Sequence, residues 1–210
     1  MTERPILFST DMVQALLAGT KTMTRRVVKG LPENATPELV QIMVSGHHAE
    51  HGHVICPYGK VGDRLWVRET WQYHYNMVQE TILHEPELKN IVFKADQPVT
   101  SLMLDEKWKP SIRLRKEHSR IWLEVSSVKV ERLYSISEGD AKAEGLPIVT
   151  VIDNEPLYKN YRKGYTTTQF PTFSFQTLWE SINGKNSWVA NPYVWVISFK
   201  VLSTTGKPQA

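Results

Sequence analysis

The sequence holds one cysteine in 210 residues, Cys56, so no disulfide can form within the chain and a reducing compartment is expected. Long apolar runs are also missing. The longest, such as Val194-Trp195-Val196-Ile197, fall far short of the ~20 residues that cross a bilayer. The first twenty residues carry Glu3, Arg4 and Asp11 where a signal peptide needs an apolar stretch. The expectation is therefore a cytoplasmic protein without a membrane partner. Neither a glycine-rich phosphate loop nor a serine nucleophile elbow occurs, and no internal repeat is evident. Charge of one sign is barely in excess: 25 Lys+Arg less 22 Asp+Glu leaves +3, so an anionic partner has to be argued from the distribution of charge.

That distribution is uneven. Between Thr20 and Gly30 stand Lys21, Arg25, Arg26 and Lys29 with no acid. Between Lys109 and Arg132 seven basic residues face three acids, Glu117, Glu124 and Glu131. Each stretch is either an ordinary solvated face or a phosphate-facing rim. Hydrophobic residues make up 41% and charged residues 22%, enough for a sizeable core in one domain spanning 1–210.

Periodicity gives a coarse outline. A short strand at 5–8 leads to a helix capped by Ser9 or Thr10 and stopped at Gly19, and the basic segment from Thr20 follows in an exposed turn that leads to a strand. Alternation over 64–71 puts Leu65, Val67, Glu69 and Trp71 on one face and Arg64, Trp66, Arg68 and Thr70 on the other. A short strand is predicted at 91–94. In the strand at 120–133 the apolar phase slips between Val125 and Val128, which predicts a bulge near Ser126-Ser127. A helix follows, capped by Ser137 and ended by Gly145, with Glu144 in its last turn. Phe175, Leu178, Trp179 and Ile182 mark a helix whose stripe reads as core, and 193–202 alternates as a closing strand. Residues 31–60, 73–108 and 148–171 read as irregular insertions. Short strands with few helices and no regular alternation indicate an α+β fold with a small, partly open β-barrel.

Three constellations bear on chemistry. In the segment Gly19 to Arg26, a threonine hydroxyl needs a base to become a nucleophile, and a lysine serves only when desolvation or nearby positive charge lowers its pKa. Lys21 and Thr24 meet that requirement by type, with Arg25 and Arg26 as the neighbouring charges or as anion holders; the plainer reading is phosphate binding or surface ion pairs. The face Arg64, Trp66 and Arg68 interleaves an aromatic with guanidinium groups as single-stranded nucleic-acid sites do, although Trp66 is equally a core residue. Glu69 stands on an otherwise apolar face, needs a partner if buried, and ranks as a second acid. His47, His48, His51, His53 and Cys56 are dense, but their spacing matches no closed zinc pattern, so no metal is expected. No cofactor is expected either.

Taken together, Leu17 to Arg26, Gly62 to Val67, Ile136 to Gly145 and the aromatic-rich last strand resemble the ASCH superfamily. Tyr58 to Trp71 and Leu178 to Gly184 are similar to its larger phage and prophage branch. The resemblance implies a PUA-like fold with flanking helices and a role with RNA or modified nucleosides. In the small bacterial ASCH enzymes that remove the acetyl group from acetylated cytidine, a lysine, a threonine three residues on and a distant glutamate form the proposed catalytic set. By motif these fall on Lys21, Thr24 and Glu144, with Arg26 at a matching basic position. The resemblance thus implies acyl transfer: Lys21 as base, Thr24 as nucleophile, Glu144 positioning Lys21 or relaying a proton, and Arg26 on the oxyanion. Arg25, Arg64, Trp66, Arg68 and Glu69 complete the candidate substrate contacts. A Lys21 to Glu144 ion pair that merely closes the barrel mouth would instead keep Lys21 charged. The alternatives are a non-catalytic RNA-binding module, an RNA-cleaving ASCH enzyme, and a phage accessory or assembly protein with a protein partner.

Overall fold

The computed structural model describes residues 1–32, 34–45, 53–73, 91–96 and 107–209. The central element is a five-stranded sheet in the order β1-β3-β6-β10-β2. Its strands are β1 (Glu3–Leu7), β2 (Met23–Val27), β3 (Arg64–Arg68), β6 (Trp122–Arg132) and β10 (Tyr193–Ser203). β1 runs parallel to β3, and the other neighbours are antiparallel. A two-stranded sheet pairs β4 (Trp71–Tyr73) with β5 (Ile91–Phe93), and a three-stranded one has the order β7-β8-β9, from β7 (Ile148–Ile152), β8 (Glu155–Lys159) and β9 (Thr167–Thr168). The helices are α1 (Thr10–Leu17), α2 (Pro37–Ser45), α3 (Glu138–Ala143) and α4 (Pro171–Asn183). The chain is thus mixed α+β with a largely open main sheet. Among the described residues no helix is long and apolar enough to cross a membrane.

The bulge lies where the phase slip predicts it. The β6–β10 register passes from Ser127↔Ser198 to Val125↔Phe199, leaving Ser126 without a partner. That extra residue shifts the alternation by one, so Leu123 and Val125 before it and Val128 and Val130 after it all pack on the same core. The first half of β10 is covered on both faces, since Val194 and Val196 are as buried as Trp195 and Ile197, whereas Lys200, Val201 and Leu202 are exposed.

Three of the expectations are revised. The run 64–71 is not one strand: pairing breaks at Glu69-Thr70, and the chain continues as β4 in a different sheet. The stretch 31–60 contains α2, and 148–171 contains all three strands of the smallest sheet. The β7–β8 turn is Asp153-Asn154, both with positive φ (50° and 65°), a two-residue hairpin geometry that Asp and Asn tolerate.

Candidate functional site

Lys21 and Glu144 are 123 positions apart and meet because of how two helices end. After α1 the chain turns at Gly19, and the N–H groups of Thr20 and Lys21 donate back to the Ala15 carbonyl. α3 is capped by Ser137, whose hydroxyl accepts from the Asp140 N–H at 3.1 Å, and ends at Glu144. Lys21 and Glu144 then pair as an isolated antiparallel bridge. The approach depends on Gly145. Its φ is +77°, and a Cβ there would lie 2.6 Å from the Lys21 Cβ and 2.7 Å from the Ala15 Cβ.

Inside this junction Lys21 Nζ donates to the Met23 carbonyl at 2.8 Å, the Glu144 carbonyl at 2.7 Å and Glu144 Oε2 at 3.1 Å. Three acceptors match the three donors of an ammonium, so the resting amine is charged. Burial pulls its pKa below the usual lysine range, with smaller pushes in the same direction from Arg26 and Arg25, while the Glu144 carboxylate resists. The proton therefore leaves more readily than from an exposed lysine.

Arg25 is equally enclosed. Its Nη2 donates to Glu131 at 2.8 Å and Asp140 at 2.6 Å, and its Nη1 approaches Glu144 Oε1 at 3.4 Å. Arg26 Nη1 donates to Thr24 Oγ1 at 2.7 Å and to the Arg25 carbonyl, while Nη2 reaches the Leu7 carbonyl at 3.0 Å. Arg26 therefore ties β2 to β1, the two edges of the open sheet. Phe8 lies under this seam, its ring 5.2 Å from Lys21 Nζ and 5.5 Å from the Arg26 guanidinium.

The exposed turn expected at Thr20 to Lys29 is overturned in part: Lys21, Thr24 and Arg25 are all buried. Their charges are spent inside. Lys21 and Arg25 pair with Glu131, Asp140 and Glu144, whereas half-buried Arg26 is held by neutral oxygens only, so most of this run does not form the exposed positive patch its sequence suggests. The second basic stretch is also widely engaged: Lys116 with Glu3, Arg120 with Glu69 and Asp96, and Lys129 with Glu131.

A cavity of about 410 Å³ opens beside the cluster. Arg25, Arg26 and Glu144 supply its charged part, Leu7, Phe8, Met12 and Val27 one apolar wall, and Phe175, Leu178, Trp179 and Ile182 of α4 another. The α4 stripe is core, as its spacing predicts, for Phe175, Leu178 and Trp179; it is also cavity lining, and Ile182 is exposed. Thr24 and Lys21 lie behind this surface and do not line it.

The remaining candidates lie elsewhere. Glu69 is buried and held by Arg120 in a two-pronged pair at 3.0 and 2.9 Å. Burial raises its pKa, and Arg120 opposes the rise. Trp66 is buried beside Trp122 in the β3–β6 ladder, with the Arg68 guanidinium 4.6 Å from its ring; Arg64 and Arg68 are half-buried. None of these four borders the cavity. His47, His48 and His51 lie outside the described residues, His53 is exposed, and Cys56 is buried, which pushes its thiol up. Among the described residues no group of three or more His, Cys, Asp or Glu is placed to hold a metal ion.

Sequence reasoning missed Asp140, Glu131 and Phe8. Asp140 was legible only as the third residue after a helix cap, whereas its carboxylate serves Arg25. Phe8 carried no signal, because nothing in the local sequence shows that it underlies two cations.

Fold and site together define a class: an α+β chain with a compensated buried ion cluster at the seam of an open sheet, next to a part-aromatic cavity. No family model, curated protein or solved structure matches the chain.

Proposed function

We propose that the protein is an amidohydrolase of the ASCH type on a PUA-like sheet, removing an acyl group from a cytidine-type base through Lys21, Thr24 and Glu144. The observation that carries this reading is the 3.1 Å contact of Lys21 Nζ with Glu144 at the charged end of the cavity, with Thr24 bonded to Arg26, a second charged residue of the cavity lining. The tie from Arg26 to Leu7 across the sheet edges supports a partly open barrel. The cavity volume suits a nucleoside, and its aromatic side chains suit a base.

The chemistry runs as acyl transfer. Glu144 takes the Lys21 proton, which burial has already loosened, and neutral Lys21 becomes the base for Thr24. Thr24 Oγ1 attacks the amide carbonyl while Arg26 releases that oxygen and turns to the developing oxyanion. Collapse breaks the C–N bond, the exocyclic amine leaves with a proton from Lys21, and water hydrolyses the threonine ester to the free acid. One rearrangement is required, since Thr24 is closed off at rest and none of the three protons on Lys21 points to it.

That closure also favours a second reading, a non-catalytic nucleoside or RNA binder in which the Lys21–Glu144 pair only locks the exit of α3 to the turn before β2. Release of acetate from acetylated cytidine, free and within a short RNA, separates the two. Turnover by the wild type that is lost in Thr24→Val and Lys21→Ala, with folding intact, supports the hydrolase. Saturable binding without acetate release sinks it in favour of the binder, and shortened RNA products would mark a nuclease.

A further inference from the structure

The smallest sheet has an open edge formed by β7. β8 occupies one side of β7, and no strand pairs with the other among the described residues. β7 reads Ile148-Val149-Thr150-Val151-Ile152, without a charge or a proline, and its four apolar residues are each between 53% and 58% exposed. An uncharged, β-branched edge strand is a template for another strand, and natural edges are usually blunted with lysine, proline or a bulge. Here the one irregularity is the register slip between Ile148 and Thr150 against β8.

The five residues are a palindrome about Thr150. Antiparallel pairing of β7 with its own copy sets Ile148 against Ile152, Val149 against Val151, and Thr150 against Thr150. Opposed residues in an antiparallel pair share a face of the sheet, so like meets like across the whole contact. The same register lays the acidic turn residue Asp153 beside Pro147 of the other copy, so no two carboxylates face each other. An antiparallel self-pair closes with twofold symmetry, whereas a parallel one does not close.

We infer that β7 is the interface through which two copies of this chain associate, joining their three-stranded sheets into one of six strands. This stands apart from the catalytic reading, since no β7 residue borders the cavity. A five-residue edge places the interface at or below the low end, about 1,200 Å², of stable complexes, so association at micromolar concentration is expected.

Thr150 provides the test. Sedimentation of the full chain over roughly 1 to 100 micromolar should show the mass rising from 24.2 kDa towards twice that value. Thr150→Lys and Thr150→Glu each set two like charges face to face on the twofold axis, and each should weaken the dimer by about tenfold or more. An equal mixture of the two variants should restore association, which also shows that both remain folded. A wild type that stays monomeric throughout, or a dimer that Thr150→Lys leaves unchanged, overturns the inference.

Discussion

Replacing Glu144 by glutamine keeps the shape of the side chain and removes its charge. Among the described residues Glu144 is the one carboxylate in contact with Lys21, whereas Arg25 retains Glu131 and Asp140. The variant leaves a water-inaccessible ammonium with two carbonyl acceptors and an amide. Breaking a buried pair from one side costs about 3–5 kcal/mol, and an amide oxygen that still accepts from Nζ returns roughly 1, so a net loss of about 2–4 kcal/mol is expected. In a chain of this length that lowers Tm by about 5–15 °C. Lys21→Met should cost less than Glu144→Gln, since Arg25 still faces the stranded carboxylate at 3.4 Å. The double variant should lose less than the sum of the singles, by about 2 kcal/mol.

Glu144→Gln also carries a pH signature. Because burial lowers the Lys21 pKa, the unfolded chain holds this proton more tightly than the folded one, and the stability owed to Lys21 rises with pH up to the ordinary value of 10.5. Glu144 is the main group resisting that shift, so removing it deepens the lowering and steepens the alkaline gain. Urea denaturation of wild type, both singles and the double, near neutral pH and near pH ~10, measures every term. Additivity within about 0.5 kcal/mol, or a Glu144→Gln deficit equal at both pH values, would refute the account of the pair.

Two further predictions concern the supports of the site and sheet. Gly145→Ala combines a positive φ with contacts of 2.6 and 2.7 Å against Lys21 and Ala15, and should cost about 2–4 kcal/mol while disturbing Lys21, read by denaturation; a loss below about 1 kcal/mol would mean the α3 exit is not tightly packed. Asp63 accepts the N–H groups of Thr2 at 2.7 Å and Lys60 at 3.1 Å, which hold its carboxyl down at about 2. Its contribution is complete above pH 3.8 and is lost as pH falls through about 2, so Asp63→Asn should cost about 2 kcal/mol at neutral pH and progressively less in acid, by urea titration. A deficit that persists undiminished in acid would contradict this.

How much could be read from the sequence depended on how local each cause is. The Ser137 cap, the Gly145 stop and the Ser126 bulge follow from residue type or alternation within a few positions, and all occur. The hairpin at Asp153-Asn154 was equally local, but its exposed apolar strand lacks the alternation by which a half-buried strand is recognised. The break at Glu69-Thr70 was hidden because both sides continue as strand, and only the choice of sheet changes.

The sequence by itself determined the chemistry on offer: a lysine, a threonine and two arginines within six positions, a glutamate at a helix end and an aromatic stripe on α4. Tertiary structure alone decided how these are used. It buried a segment that reads as exposed, because the turn after α1 is bonded to the exit of α3, and it set three carboxylates from β6 and the α3 helix and its cap around cations from β2 and the turn before it. Charge in sequence is a sum over neighbours along the chain. Charge in space is settled by partners a hundred residues away, and burial makes each of those pairings decisive, because an unpaired charge cannot remain where water does not reach.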